Sequence, residues 1–370
     1  MMLSGCRGKP ATNKHRMNPE LSNFAARLRG FIADSQSAMR NPQFSELALE
    51  LFALQFNYNS AYRKICEACG RTPEVVEHWT QVPAMPAAAF KELELTSLEP
   101  EERTVVFHSS GTTEQKPSRH FHNAGSLAVY EASLWKWFEL YFGGTGELLF
   151  LTPNRITAPH SSLVYMFETV RQMFVLPESV FAGHVSADGS WTIDFAATIK
   201  RLETVCDAGS PLTLLGTAFS FVHLLDFLVE KDLRLQLPDN SRVMETGGYK
   251  NRSRALPKTE LHALISERLG VSRENIICEY GMSELNSQAY ARADGKFQFP
   301  PWAKMQIISP ETGREVAEGE IGLIRIFDLA NVFSVAAIQT EDLGVRRGDG
   351  FELLGRAQLA EPRGCSWMTA

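Results

Sequence analysis

Apolar residues recur at intervals of three and four along much of the chain, which is the spacing of one helix face. Residues 18–68 show this spacing. The clearest case is followed by Gly143 and Gly144, a pair that ends a helix, and its apolar face consists of Leu127, Tyr130, Leu134, Trp137, Phe138 and Tyr141. Further helices are predicted over residues 162–174, 195–206, 219–229 and 259–269.

Short apolar runs alternate with these helices and predict strands over residues 105–108, 147–151, 212–215, 242–245 and 276–278. Strands that alternate with helices form parallel βαβ units. After Trp302 the pattern changes to short strands separated by turns, over residues 305–308, 323–327 and 351–354. We therefore predict an α/β fold in which helices cover parallel sheets, with a small β-rich subdomain towards the C-terminus.

Composition narrows the class of protein. The 370 residues are 44% hydrophobic and 22% charged, which is ordinary for a globular protein. A net charge of −6 without a long basic run argues against nucleic acid or a membrane surface as the main partner. No apolar run approaches the roughly 18 residues of a membrane span. The six cysteines are scattered, which favours reduced thiols and a cytoplasmic location, and Cys66 and Cys69 lack a second pair at metal spacing.

Candidate chemistry lies where strands end, because ligands of doubly wound sheets bind beyond the carboxyl ends of the strands. The first such segment carries small and hydroxyl residues with a lysine after them: Ser109, Ser110, Gly111, Thr112, Thr113 and Lys116. Small residues let backbone N–H groups face a phosphate, hydroxyls add donors, and the lysine adds positive charge. The segment does not have the Walker spacing, so it indicates a phosphate loop of another kind.

Three later segments extend this site. Gly247 and Gly248 would let a flat base approach the backbone. The segment after residue 278 offers an aromatic face, a hydroxyl and a carboxylate in Tyr280, Gly281, Ser283 and Glu284. Residues 340–342 are predicted to be a loop, and they place Asp342 fourteen positions before Arg356. A carboxylate suits ribose hydroxyls and an arginine suits ribose or phosphate. Each segment alone could be a simple turn, but the four in this order indicate a nucleotide site.

The order of these segments resembles the adenylate-forming superfamily of acyl-CoA ligases, peptide synthetase adenylation domains and luciferases. The resemblance implies ATP and Mg²⁺ as cofactors. It gives residues 109–113 the role of the phosphate loop and places Gly247 and Gly248 against adenine. It implies that Tyr280 stacks on adenine, that Ser283 meets the phosphate and that Glu284 holds Mg²⁺. Asp342 and Arg356 resemble the acid that binds ribose and the arginine near the hinge.

One branch of the superfamily is more similar, namely the acyl-protein synthetase of the bacterial bioluminescence fatty-acid reductase complex. The similarity spans residues 45–370, and its motifs lie at residues 90–91, 159–163, 245–248, 279–288 and 363–366. It implies that a fatty or related carboxylic acid is activated as an acyl-adenylate and passed to the thiol of Cys365. It also implies an acyl reductase as a possible partner.

Two departures leave alternatives open. Glu114 stands where the superfamily has a small residue, and an acid there could repel the triphosphate or simply face solvent. Most of the superfamily adds a lid domain with a catalytic lysine, whereas this chain stops at Ala370, so we expect no lid. Lys116, Lys250 and Arg252 are candidates for the missing charge. The alternatives are a minimal ligase that acylates CoA or a carrier-protein thiol, and a degenerate non-enzymatic partner of an acyl reductase.

The same features suggest five parts of the chain. Residues 1–17 are expected to form a disordered leader, with Met17 as a candidate natural start. Residues 18–100 would be the helical part of the adenylation domain and residues 101–300 its nucleotide-binding core. Residues 301–356 would be the small β subdomain, and residues 357–370 a tail that carries Cys365.

Overall fold

The computed structural model describes residues 18–34, 43–109, 116–143, 146–174, 180–247 and 256–357. Its helices are α1 (Pro19–Ala33), α2 (Gln43–Tyr58), α3 (Ser60–Ala68), α4 (Ala89–Glu92), α5 (Ala124–Phe142), α6 (Ser162–Phe174), α7 (Phe195–Ala208), α8 (Ala218–Glu230) and α9 (Lys258–Leu269). The first eight strands are β1 (Met85–Pro86), β2 (Val105–His108), β3 (Arg119–His122), β4 (Glu147–Phe150), β5 (Val180–Phe181), β6 (Gly183–Val185), β7 (Trp191–Ile193) and β8 (Leu212–Thr217). The others are β9 (Arg242–Thr246), β10 (Ile276–Tyr280), β11 (Ala289–Ala291), β12 (Lys296–Phe297), β13 (Ala303–Ile308), β14 (Ile321–Asp328), β15 (Ala337–Arg347) and β16 (Gly350–Arg356).

The helix ends follow local sequence signals. Asn18 caps α1 because its side chain accepts hydrogen bonds from the backbone N–H groups of Glu20 and Leu21. Helices α7 and α9 end at Gly209 and Gly270, whose φ angles of 65° and 69° lie in the left-handed region that glycine tolerates best. These signals explain why the predicted helices agree with the observed ones to within a few residues.

The first sheet confirms the predicted α/β class. Its strand order is β11-β10-β9-β8-β4-β5, and every pair is parallel except β10 with β11. One face packs against α7, α8 and α9 through residues such as Leu202, Phe221 and Ile265. The other packs against α5 and α6 through residues such as Phe138 and Phe167. Burial on both faces explains why its strands are almost continuously apolar.

The second sheet confirms the predicted β-rich region and corrects one detail. Its order is β12-β16-β15-β14-β13, all antiparallel, with β1 added in parallel along β15. The prediction of a loop at residues 340–342 was wrong, because these residues lie inside β15. The acidic pair Glu341 and Asp342 disfavours a strand locally, and a bulge follows at Leu343 and Gly344. Pairing with a strand on each side outweighs that local preference.

The N-terminal helices pack on a segment of the chain that is distant in sequence. The side chain of Gln55 donates a hydrogen bond to the carbonyl of Asn331 (2.7 Å) and accepts one from the N–H of Ala336 (2.9 Å). The hydroxyl of Ser334 donates to the carbonyl of Leu95 at 2.8 Å. Residues 329–336 are buried beneath this contact. The N-terminal helices and the second sheet therefore share one core.

A short hairpin carries the start of the predicted phosphate loop. Strand β2 pairs antiparallel with β3, and the loop between them begins at Ser109. The ring of Phe107 is fully buried and contacts the rings of Tyr130 and Tyr165, on α5 and α6.

Among the described residues, no helix is long and apolar enough to cross a membrane.

Candidate active site

Tyr280 lies where the two sheets meet. It ends β10, and its ring is buried against Phe297 and Phe351, with centroid separations of 6.0 and 5.5 Å. Its hydroxyl donates to Oδ2 of Asp342 at 2.8 Å. Burial and the adjacent carboxylate of Asp342 raise the pKa of Tyr280, so the hydroxyl keeps its proton and remains a donor. This hydrogen bond joins the end of a parallel strand to the middle of an antiparallel one.

Asp342 and Arg356 face each other across β15 and β16. The register pairs the two residues directly, and Nε of Arg356 lies 3.6 Å from Oδ1 of Asp342. The carboxylate is 16% exposed, whereas the guanidinium-bearing side chain is 75% exposed. Burial raises the pKa of Asp342 more than Tyr280 and Arg356 lower it. The structure thus brings the predicted ribose-binding pair together, although through strand register and not through a loop.

Ser283 and Glu284 are both buried and belong to a network that reaches the start of the predicted phosphate loop. The hydroxyl of Ser283 donates to Oε2 of Glu284 at 3.0 Å. Because that proton is used, the hydroxyl of Ser118 is the donor in its 3.3 Å contact with Oγ of Ser283. The N–H of Ser118 in turn donates to Oγ of Ser109 at 3.0 Å. The network therefore connects Ser109 with Glu284.

His120 is a residue at this site that the sequence reasoning missed. Its Nδ1 lies 2.8 Å from the carbonyl oxygen of Ser283. A carbonyl only accepts, so Nδ1 carries the proton. Burial lowers the pKa of His120 to about 4, and the imidazole is neutral at physiological pH. His120 thus fixes the backbone of the segment that carries Ser283, and only its place on β3, just after the phosphate loop, could have indicated this.

Asp328, the last residue of β14, and Asn331, in the segment between β14 and β15, hold Glu284 and the chain that follows it. The amide of Asn331 donates to the carbonyl of Glu284 at 2.9 Å. The carboxyl of Asp328 accepts from the N–H of Asn286 at 2.9 Å and from the hydroxyl of Ser287 at 2.7 Å. Burial raises the pKa of Asp328 from 3.8 to about 6. The position of Glu284 therefore depends on both sheets.

The carboxyl group of Glu279, the residue before Tyr280 on β10, accepts a hydrogen bond from the hydroxyl of Thr246, its cross-strand neighbour on β9. Burial raises the pKa of Glu279 from 4.5 to about 7. Gly281 makes room for it, because a Cβ atom at this position would lie 2.3 Å from Oε1 of Glu279. A side chain at position 281 would therefore displace the carboxyl group of Glu279.

The remaining predicted residues fall into two groups. Gly247 follows β9 with a φ of 71°, and Lys116 forms a surface ion pair with Glu92 (Nζ to Oε2, 3.2 Å). The others lie outside the described residues: Ser110, Gly111, Thr112, Thr113, Glu114, Gly248, Lys250, Arg252 and Cys365.

The side chains present suit a hard divalent cation. The carboxylate of Glu284 accepts a hydrogen bond from Ser283 and retains further acceptor capacity, since an ionised carboxylate has about four acceptor positions. Carboxylate oxygens are the ligands that Mg²⁺ prefers in proteins. The donor set at Glu284 thus fits Mg²⁺.

Comparison with known proteins decides the family. The family model described as "Acyl-protein synthetase, LuxE" matches residues 31–369. The chain belongs to the acyl-protein synthetase family. It is an enzyme of the ATP-dependent, AMP-forming ligase class, which activates an acyl group and transfers it to a thiol.

Two relatives and one solved structure are similar to this member of the family. The long-chain-fatty-acid–luciferin-component ligase of Vibrio harveyi is 25% identical over 331 residues, which cover 85% of this chain and 84% of the relative. The ligase of the same name from Aliivibrio fischeri is 25% identical over 343 residues, 87% and 86% of the two chains. A 2-hydroxyisobutyryl-CoA ligase in complex with 2-HIB-AMP has a TM-score of 0.64 at 12% identity, covering 86% of this chain and 68% of its own. That likeness supports the adenylate-forming fold.

Proposed function

We propose that this synthetase activates a long-chain fatty acid with ATP and Mg²⁺ and transfers the acyl group to its own Cys365. The observation that carries the proposal is the convergence of Ser109, Ser283 and Glu284 with the Tyr280–Asp342 pair where the two sheets meet. The acid is taken from the names of the two bacterial relatives. The thiol is taken from the resemblance of residues 363–366 to the acyl-protein synthetases.

In the first step, a carboxylate oxygen of the acid attacks the α-phosphorus of ATP, and the bond to the β-phosphate breaks. The products are the acyl-adenylate and pyrophosphate. Residues 109–113 would donate hydrogen bonds to the phosphates, and the hydroxyl of Ser283 would turn from Glu284 to donate to the α-phosphate. Asp342 and Arg356 would bind the ribose. Glu284 would hold Mg²⁺, which when bound neutralises charge on the phosphates. Preorganised donors of this kind supply most of the catalysis in such reactions.

In the second step, the thiolate of Cys365 attacks the acyl carbon, the bond from that carbon to the AMP oxygen breaks, and AMP leaves with the electron pair. The proton of the thiol is lost to solvent before attack. Arg363 lies two residues from Cys365 in the sequence and would favour the thiolate. Lys116, Lys250 and Arg252 remain the proposed sources of positive charge at the α-phosphate.

The test is an incubation with ATP, Mg²⁺ and a labelled fatty acid. Pyrophosphate should be released, and label should remain on the protein and be removed by neutral hydroxylamine, which cleaves thioesters. Cys365→Ala should lose the label but keep pyrophosphate release in the first turnover. Label that persists on Cys365→Ala contradicts Cys365 as the acceptor. Transfer to added CoA or a carrier protein by that variant would favour the minimal ligase instead.

We also propose a cytoplasmic location, with an acyl reductase as the partner that receives the acyl group. The four described cysteines, Cys66, Cys69, Cys206 and Cys278, are all free thiols, as is usual in a reducing compartment. The five-part division of the chain, from the leader at residues 1–17 to the tail at residues 357–370, is part of the same proposal.

A further inference from the structure

Glu245 is a buried carboxylate two residues before Gly247, and the nucleotide chemistry proposed above gives it no role. It is 1% exposed, on β9. Nζ of Lys258, the first residue of α9, lies 3.3 Å from its Oε1. Nε2 of His262, one helical turn later, lies 3.6 Å from the same oxygen. The contacts of Lys258 and His262 with Glu245 therefore hold the start of α9 next to β9.

The ion pair is a genuine pair of charges. Burial by itself would raise the pKa of Glu245, but His262 and the charge of Lys258 outweigh it, and the pKa is lowered. Glu245 is buried whereas the side chain of Lys258 is 46% exposed, so removal of the ammonium would leave the buried carboxylate without this partner. A cluster like this is kept in place by its own electrostatics.

Two other roles for the cluster are weaker. Cys278 pairs with Glu245 across β9 and β10, and its Sγ lies 3.7 Å from Nε2 of His262, so the three side chains have the spacing of a metal site. The ammonium of Lys258, however, already supplies positive charge at the oxygen that a cation would need. A nucleophilic Cys278 is also disfavoured, because it is 3% exposed and burial raises the pKa of its thiol.

Lys258 has a second contact, on the side of Tyr280. Its Nζ lies 4.9 Å from the centroid of the Phe297 ring, which is a cation–π distance. Phe297 in turn packs on Tyr280 and stacks on Phe351, with centroids 6.0 and 5.5 Å apart. One ammonium thus touches both the strand that leads into Gly247 and the aromatic cluster that holds Tyr280.

We infer that Lys258, held between Glu245 and Phe297, is a positioning residue that sets the distance between Gly247 and the ring of Tyr280. These are the two described sides of the proposed adenine site, so the inference rests on the proposed function. A residue that acts in this way affects how well the site accepts the base of ATP. It does not touch the phosphates or the acyl group.

The experiment compares Lys258→Met, which keeps the length of the side chain but removes the charge, with Lys258→Arg, which keeps the charge. Steady-state pyrophosphate release is measured against ATP and against fatty acid, with neutral hydroxylamine present to cleave the thioester and regenerate Cys365. We expect Lys258→Met to raise the KM for ATP about tenfold, since the cation–π contact and the ion pair together contribute about that factor. The kcat and the KM for the acid should change less than threefold, and Lys258→Arg should restore most of the ATP affinity.

A matched control removes a similar ion pair at the opposite end of the same sheet. Nη2 of Arg201 lies 2.6 Å from Oε2 of Glu147, the first residue of β4, and both side chains are mostly buried. Arg201→Met should lower the melting temperature without changing the KM for ATP. Melting temperatures of all variants show that the measured enzyme is folded.

The possible outcomes separate this inference from the proposed function. A wild type that releases no pyrophosphate with any fatty acid overturns both. A wild type that is active while Lys258→Met keeps its KM for ATP overturns the positioning role alone. The same holds if kcat falls without a change in KM, or if Arg201→Met raises the KM for ATP equally.

Discussion

The two sheets contribute to the candidate site in different ways. The parallel sheet presents side chains at and beyond the ends of its strands: Tyr280 is the last residue of β10, and Ser283 and Glu284 follow it. The antiparallel sheet presents Asp342 from the middle of a strand, opposite Arg356. The hydrogen bond from the hydroxyl of Tyr280 to Asp342 connects the two contributions, beside the bonds that Asp328 and Asn331 make to the segment after β10.

This difference has a physical cause. Parallel strands all point the same way, so the segments that follow them gather at one edge and can surround a ligand. Antiparallel strands expose side chains along their length, and cross-strand register decides which residues meet. We expect the parallel sheet to supply the groups that act on the phosphates, and the antiparallel sheet to supply binding affinity.

The largest effect should come from Glu284→Gln on the parallel side. Loss of the carboxylate charge should slow pyrophosphate release by roughly 10²–10³, the usual cost of removing one stabiliser of transition-state charge. ATP affinity by calorimetry and the melting temperature should change little. Unchanged pyrophosphate release would mean that the metal is held elsewhere, and the division of labour between the sheets would fail.

A pH experiment compares one buried acid from each sheet. Because the folded-state pKa of Glu279 is raised from 4.5 to about 7, its stabilising effect is complete below pH 4.5 and is lost as the pH rises to 7. The loss amounts to about 3 kcal/mol in the free energy of unfolding. The pKa of Asp328 is raised from 3.8 to about 6, so its contribution to the free energy of unfolding should be lost as the pH rises between those values.

Urea unfolding between pH 4 and 8 measures both contributions. Glu279→Gln should flatten the profile at its upper end, from about pH 4.5 to 7, and Asp328→Asn at its lower end, from about pH 4 to 6. If the two variants keep the wild-type slope, the fall in stability arises from other groups.

A smaller effect is expected from Asp342→Asn on the antiparallel side. Hydrogen bonds to a charged group contribute about 1.5–3 kcal/mol, so the Kd for ATP should rise roughly 10- to 100-fold while kcat stays near that of the wild type. Glu341→Gln, at the exposed neighbouring position, is the control and should leave the Kd unchanged. A fall in kcat at constant Kd would give Asp342 a catalytic role and contradict the comparison.

The smallest effect should come from Tyr280→Phe, which removes only the hydroxyl that donates to Asp342. We expect the free energy of unfolding to fall by about 1 kcal/mol and the KM for ATP to rise a few-fold. Denaturant unfolding and initial-rate kinetics measure the two quantities. The double variant with Asp342→Asn should show less than the sum of the single effects, because the two changes remove the same hydrogen bond.

Sequence reasoning succeeded where local signals and tertiary structure agree. The apolar periodicity of α5 and the glycines after α7 and α9 are local signals that define a helix and its end. These elements were therefore predicted to within a few residues. The strands of the parallel sheet were found because burial on both faces makes them apolar throughout. The segments after those strands could then be placed by the general rule for ligand sites.

Sequence reasoning failed where the pairing partners of a segment decide its secondary structure. Strand β15 contains Glu341 and Asp342, whose polarity indicates a loop, and only its neighbours β14 and β16 make it a strand. His120 and Lys258 were missed for a related reason. Their contacts with Ser283 and Glu245 join positions 163 and 13 residues apart, and no local spacing indicates such contacts.

The contact between the N-terminal helices and residues 329–336 has a consequence for the order in which the protein folds. Gln55 bonds to Asn331 across a separation of 276 residues, so the contact of α2 with residues 329–336 cannot form until almost all of the chain has left the ribosome. Contacts of such long sequence separation slow folding and leave hydrophobic surface exposed until they form. We expect truncations that stop before residue 329 to aggregate or bind chaperones, even though they retain every strand of the parallel sheet.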